Sequence, residues 1–288
     1  MGRPHPLKVS VKAGPYTVRG VSLGGVYTSI QVPELGVVFD AGMPIRAFAG
    51  TDHLFLSHGH GDHAGAFAAM LGIRGLLHRK SPPKVYMPEP IAPDLQVAID
   101  AMSKLQRHSL DYEAVPMSAG DERSLRSDLR VRAFRTHHPV PSLGYLFFDR
   151  VKKLRAEYRG LPGHEIAERK AKGEALFDEE ERLELAYATD TLIRVLDTAS
   201  EIGRARVLIM ECTFLDEKKT LKASRAGCHI HLDELLERTN DLQNEHLVLM
   251  HFSQLYAPKD VRRIFKERWP KDHPTKLHLF CPDSGPWP

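Results

Sequence analysis

The sequence predicts an α/β (α+β) protein with a sheet core and helices outside it. Short β-branched runs bounded by glycine or proline open the chain, and apolar strand-like runs alternate with amphipathic stretches in its second half. "LKVSVKA" (7–13), "GVYTSIQVP" (25–33) and "GVVFDAG" (36–42) read as antiparallel strands, and "HLFLS" (53–57) as a strand leading into a helix over 63–77. "KVYMP" from 84 is a strand, 91–107 an amphipathic helix, and "LRVRAFRT" (129–136) and "GYLFF" (144–148) are strands. A charged stretch at 150–184 interrupts the pattern. Strands "LAYATD", "RVLIMECTF", "HLVLMHFS" and "KLHLF" then alternate with helices over 191–201, 231–240 and 258–267.

With 288 residues, 42% hydrophobic and 27% charged, the chain has the composition of an ordinary globular protein. No apolar run approaches the ~20 residues that cross a bilayer, so no membrane partner is expected. The N-terminus lacks the apolar stretch of a secretory signal, which points to a cytoplasmic protein. Cys212, Cys228 and Cys281 are odd in number and form no CxxC, so they are expected to be small apolar residues in a reducing compartment. A net charge of +3 says little by itself about a nucleic-acid partner.

The chemistry concentrates in "LFLSHGHGDHAGAF" (54–67), where His58, His60, Asp62 and His63 fall within six positions directly after an apolar run. A single histidine is usually a surface or satisfied core residue, but here residues two apart leave a strand together, and Gly59 and Gly61 let the backbone turn tightly around an ion. Imidazole and carboxylate donors suit zinc, with manganese or iron as other occupants. Four donors are too many for one ion that keeps an open position for catalysis, so two ions are expected. These need further donors, and strand ends supply His137 and His138, Asp190 and His251.

HxHxDH followed by a histidine, an aspartate and a histidine at later strand ends resembles the metallo-β-lactamase superfamily. The resemblance implies a four-layer αββα sandwich with a two-metal site at one edge of the sheets. "ECTFL" (211–215), "AGCHIHLDEL" (226–235) and "HFSQLY" (251–256), with "FDAG" and "GLPGHEIAERKAKG", are similar to motifs of the tRNase Z (ribonuclease Z) family, closest to its short plant-type form. That family removes 3′ trailers from tRNA precursors. The resemblance implies one domain over 1–288 with an inserted, protruding helical arm at 150–184. It places His58, His60 and His138 on one ion and Asp62, His63 and His251 on the other, with Asp190 bridging. His138 is preferred to His137 because the family's ligand lies six residues before the glycine of its "GY" pair. Asp62 would also orient or deprotonate the attacking water, and His229, held by Glu211, would protonate the leaving ribose oxygen. His231 matches a family histidine with no role assigned.

The arm's first part carries an excess of Lys and Arg, suited to phosphate contacts. Lys152, Lys153, Arg155 and Arg159 are the candidates, against the simpler reading of a solvated helical hairpin. The resemblance further implies a homodimer. Two positions depart from the family: Leu255 stands where arginine is usual and Thr189 where glycine is usual. Neither removes a ligand, but both make tRNA processing a narrower expectation than metal-dependent hydrolysis. A hydrolase of a small phosphodiester or thioester is the alternative. β-Lactam hydrolysis fits less well, because many such enzymes have cysteine where Asp190 would bridge, and a binding protein without chemistry conflicts with a complete ligand set.

Overall fold

Strands that are apolar on both faces must be covered on both sides, and the chain meets this with four layers. The computed structural model describes residues 9–79 and 81–288. The first sheet contains β1 (Val9–Ala13), β2 (Tyr16–Leu23), β3 (Tyr27–Val32), β4 (Val37–Phe39), β5 (His53–Phe55), β6 (Lys84–Pro88) and β7 (Glu113–Met117), paired in that order. Its helices are α1 (Gly61–Ala64), α2 (Phe67–Leu76) and α3 (Ala92–Gln106). The second sheet contains β8 (Glu122–Ser124), β9 (Leu129–Arg135), β10 (Leu143–Leu154), β11 (Phe177–Ala188), β12 (Val207–Glu211), β13 (His246–Met250) and β14 (Lys276–Leu279), again paired consecutively. With it go α4 (Gly163–Ala171), α5 (Val195–Thr198), α6 (Leu221–Ala226), α7 (Leu232–Glu237) and α8 (Pro258–Arg268).

Each sheet pairs its first four strands antiparallel and its last four parallel. The two halves therefore repeat one plan without visible sequence similarity. Between the sheets lies an aromatic core: Phe39 stacks on Tyr187 at 4.3 Å, Phe55 on Tyr86 at 4.3 Å, and Phe147 meets Phe39 and Phe55 edge-on. On the first sheet's outer face Phe67, Met70, Leu71 and Ile99 from α2 and α3 cover Val38, Leu54 and Val85. On the second, Leu235, Val261, Ile264 and Phe265 from α7 and α8 cover Leu208, Met210, Leu247 and Leu249. This is the αββα sandwich that the resemblance implies.

Several element boundaries differ from expectation. Residues 7 and 8 of the first expected strand lie outside the described residues. The helix over 63–77 is two helices, broken after Ala64, and that over 191–201 shrinks to α5 followed by a 3₁₀ turn, Ser200–Arg204. Strands β2, β7 and β8 and helix α6 were not expected. In β2 the pattern is obscured by Gly20, at φ +145°, where a Cβ would lie 2.1 Å from the Ser29 carbonyl of β3.

The arm is more strand than helix. β10 and β11 each begin or end in the core but extend beyond it, pairing Val151 with Glu180 and Lys153 with Asp178, and α4 lies between them at the far end. The reason is cross-strand charge pairing: Lys153 meets Glu180 at 3.0 Å, Arg155 meets Asp178 at 2.8 Å, and Arg150 meets Glu181 at 3.4 Å. Over 150–184 nine Lys or Arg stand against nine Asp or Glu, so the acidic return strand cancels the basic excess of the outgoing one. At the arm's base Arg132 bonds Glu122, Glu181 and Glu201 and lies 4.7 Å from the Phe148 ring centre.

Phe147 ties both sheets together, so Phe147→Ala should lower unfolding free energy by about 3–5 kcal/mol. Urea unfolding followed by far-UV circular dichroism checks this; a loss under about 1 kcal/mol would mean that the intersheet core does not depend on this ring.

Candidate active site

The parallel strands deliver their C-terminal ends to one edge of the sandwich, where open α/β sheets characteristically bind ligands. The turn after β5 carries His58 and His60, and α1 carries Asp62 and His63. Asp190 follows β11, Glu211 ends β12, His251 follows β13, and His138 comes from the loop after the antiparallel β9. Gly42 of "FDAG" is required here, because a Cβ would lie 1.9 Å from the Asp62 carbonyl.

Two donor groups result. Nε2 of His58 approaches Nδ1 of His60 at 3.1 Å, and Nε2 of His138 reaches the same atom at 3.2 Å. Asp190 Oδ2 lies 3.6 Å from His58 and 3.8 Å from His138. In the second group Nε2 of His63 and of His251 are 3.3 Å apart, and Asp190 Oδ1 lies 3.4 Å and 3.2 Å from them. Asp62 Oδ2 completes this group at 3.5 and 3.7 Å. Asp190 thus turns one carboxylate oxygen to each group. Tetrahedral bonds of about 2.0–2.1 Å put neighbouring ligand atoms roughly 3.3–3.4 Å apart, so both groups have the spacing a divalent transition metal requires.

Surrounding residues aim the donors. His63 Nδ1 donates to Asp40 Oδ2 at 2.8 Å, and His58 Nδ1 meets Ser57 Oγ at 2.9 Å, whose hydroxyl donates to Asp40 at 3.0 Å. His251 Nδ1 meets Thr213 Oγ1 at 3.0 Å, and that hydroxyl donates to Glu211 Oε2. With the Nδ1 protons so engaged, the Nε2 lone pairs of His58, His63 and His251 face the site, as ligating histidines require. Tyr187 also donates to Asp40, at 2.7 Å. Asp40, Ser57, Thr213 and Tyr187 were not assigned roles from the sequence, although "FDAG" and "ECTFL" contain two of them. Asp190 and His251 hold φ angles of 45° and 59°, left-handed conformations that cost energy and that the surrounding packing must impose.

The electrostatics call for cations. Asp40, Asp190 and Glu211 are buried, Asp62 nearly so, and among the described residues none of the four forms an ion pair with Lys or Arg. Burial and its neighbour His63 push His58 down to about 2, keeping it neutral. Burial opposes charge on His63, yet Asp190 and Asp40 push it well above the usual histidine range. Asp62 and Asp190 are desolvated too, but the surrounding histidines hold both below the usual carboxylate range.

Beside the two groups, His229 Nδ1 lies 3.2 Å from Glu211 Oε1, and its ring centre is 5.6 Å from that of His138 and 5.5 Å from that of His251. Glu211 is fixed by backbone N–H groups of Thr191 at 2.6 Å and Ile230 at 3.2 Å. Burial works against a charged His229, but Glu211 outweighs it and pushes the imidazole up to about 9.

Other predicted residues stand apart. His137 turns away to Thr198 Oγ1 at 2.9 Å. His231 caps α7, accepting from the Asp233 N–H at 3.1 Å. Thr189 donates to Asp190 Oδ1 at 2.8 Å, so the departure from glycine adds a hydrogen bond to the shared carboxylate, while Leu255 is half exposed. Lys153 and Arg155 are engaged within the arm; Lys152 and Arg159 have no ion pair among the described residues. Cys212 and Cys281 are buried as expected, but Cys228 is only half buried, at φ 57°.

Comparison with known proteins identifies the family. A β-lactamase superfamily domain model matches residues 37–252. The chain is 35% identical over 249 residues to tRNase Z TRZ1 of Arabidopsis thaliana, covering 85% of this chain and 88% of the relative. It is 40% identical over 159 residues to a nuclear ribonuclease Z of Triticum aestivum, covering 55% and 89%. The short form of human tRNase Z, ELAC1, shares the fold with a TM-score of 0.55 at 16% identity, over 94% of this chain and 95% of that one. Fold, donor geometry and relatives agree: the chain is a metal-dependent hydrolase that belongs to the β-lactamase superfamily and, within it, to the tRNase Z family.

Proposed function

We propose that the protein is an endoribonuclease that hydrolyses the phosphodiester at the 3′ end of tRNA precursors, releasing the trailer. The observation that carries this reading is the Glu211–His229 pair, a charged proton donor in ring contact with both donor groups. Relatives named tRNase Z supply the substrate class.

His58, His60 and His138 would hold one ion and Asp62, His63 and His251 the other, with Asp190 giving an oxygen to each. Bound divalent ions, zinc by donor type with manganese or iron as alternatives, supply Lewis-acid charge and make hydroxide available near neutral pH. Asp62 orients the attacking water and accepts its proton; Gly25 N–H holds the same carboxylate oxygen at 3.1 Å. As the bond from phosphorus to the ribose 3′ oxygen breaks, His229 delivers a proton to that oxygen, and Glu211 keeps the imidazole oriented and charged. Lys152 and Arg159, the two predicted arm cations without an ion pair among the described residues, would meet tRNA phosphates.

A homodimer fits the exposed stripe of α3. Val97, Ala101 and Leu105 recur every four residues, with Val97 67% and Leu105 77% exposed, a face that a second copy would cover.

Incubated with zinc or manganese, the protein should cut a trailer-bearing tRNA precursor next to the discriminator base, and His229→Ala should lower that rate by roughly 10²–10⁴-fold. The same variant should still hydrolyse bis(p-nitrophenyl) phosphate, whose leaving group needs no proton. An untouched precursor alongside diester turnover would remove the tRNA reading, and equal losses on both substrates would remove the donor role of His229. In sedimentation velocity the wild type should run as a dimer and Leu105→Glu as a monomer; a wild-type monomer would contradict the α3 interface.

A further inference from the structure

Of the four carboxylates at the site, the shared one has the thinnest support. Asp40 accepts hydrogen bonds from Ser57, His63 and Tyr187, and Glu211 from the backbone N–H groups of Thr191 and Ile230 and the hydroxyl of Thr213. Asp62 accepts from the Gly25 N–H. Among the described residues Asp190 has one donor that is not itself a candidate metal ligand, the Thr189 hydroxyl, 2.8 Å from Oδ1. Both residues are buried, so bulk water offers no substitute.

The backbone of Asp190 is held at a left-handed φ of 45°, but rotation of its carboxylate about χ2 is intrinsically broad and needs a separate restraint. That rotation decides the site, because Oδ1 faces His63 and His251 while Oδ2 faces His58 and His138. A hydroxyl donating to Oδ1 fixes the angle and leaves this oxygen a second lone pair for an ion. We propose that Thr189 is the positioning residue that lets Asp190 serve two ions at once. Without the hydroxyl the carboxylate turns until both oxygens close on one ion, and the other ion loses a ligand. A glycine at this position would supply no such donor. Thr189 touches neither substrate nor ion and acts only through Asp190. The inference rests on the two-ion reading above.

The test is a zinc titration of the full-length, metal-stripped protein in competition with a chromophoric chelator. Wild type and Thr189→Ser should each take up two equivalents with matching affinities. Thr189→Val keeps the side-chain shape and removes the donor; it should hold the second equivalent roughly 10–100-fold more weakly, the usual effect of losing a partner of a metal ligand, while its circular dichroism spectrum stays native. Its hydrolysis of bis(p-nitrophenyl) phosphate should be slow at limiting zinc and return to the wild-type rate in excess zinc. Thr189→Val titrating like the wild type, or Thr189→Ser binding as weakly as Thr189→Val, would overturn the role of the hydroxyl. Activity of Thr189→Val that excess zinc does not restore would overturn its action through metal affinity. A wild type that takes up fewer than two equivalents would remove the two-ion reading and this inference with it.

Discussion

Four carboxylates, Asp40, Asp62, Asp190 and Glu211, converge at one edge of the sandwich, and among the described residues no lysine or arginine pairs with them. Buried charge of one sign is strongly unfavourable unless paired or coordinated to metal. Imidazoles surround the group, and those of His58, His63 and His251 have the nitrogen facing away from the centre engaged, so their inward lone pairs remain for an ion. Bound cations settle the charge balance, the histidine tautomers and the close spacing of donors together. Protein side chains alone meet the first of these only in part, through His63 and His229.

The repeated plan of the two sheets shows how the edge is built. Asp40 lies just beyond β4 and Asp190 just beyond β11, the fourth strand of each sheet, and both have left-handed φ, 58° and 45°. One has become a support that receives Ser57, His63 and Tyr187; the other faces both donor groups. The intersheet aromatic core joins the two, since Tyr187 stacks on Phe39 while its hydroxyl reaches Asp40. Packing and site geometry are therefore coupled through one side chain.

Much of this was legible in the sequence because strand ends carry the donors, and a donor beside an apolar run is conspicuous. His58 through His63 identified themselves by density, and Asp190, His251 and the His137–His138 pair by following strand-like runs, with the family resemblance choosing His138. The supports were hidden: Asp40, Ser57 and Thr213 are ordinary residue types, and their role depends on pairings 17, 23 and 38 positions apart in sequence. The arm was misjudged in form because its basic outgoing strand was read without the acidic return that pairs with it. Strand β2 was missed because Gly20 answers to the backbone of β3 and to no periodicity of its own.

Metal stoichiometry tests the central claim most directly. The shared position of Asp190 predicts that the wild-type chain, stripped and reconstituted with zinc, takes up two equivalents, and that Asp190→Ala holds neither tightly while keeping a native circular dichroism spectrum. Saturation of the wild type at one equivalent, or two tightly held equivalents in Asp190→Ala, would contradict it.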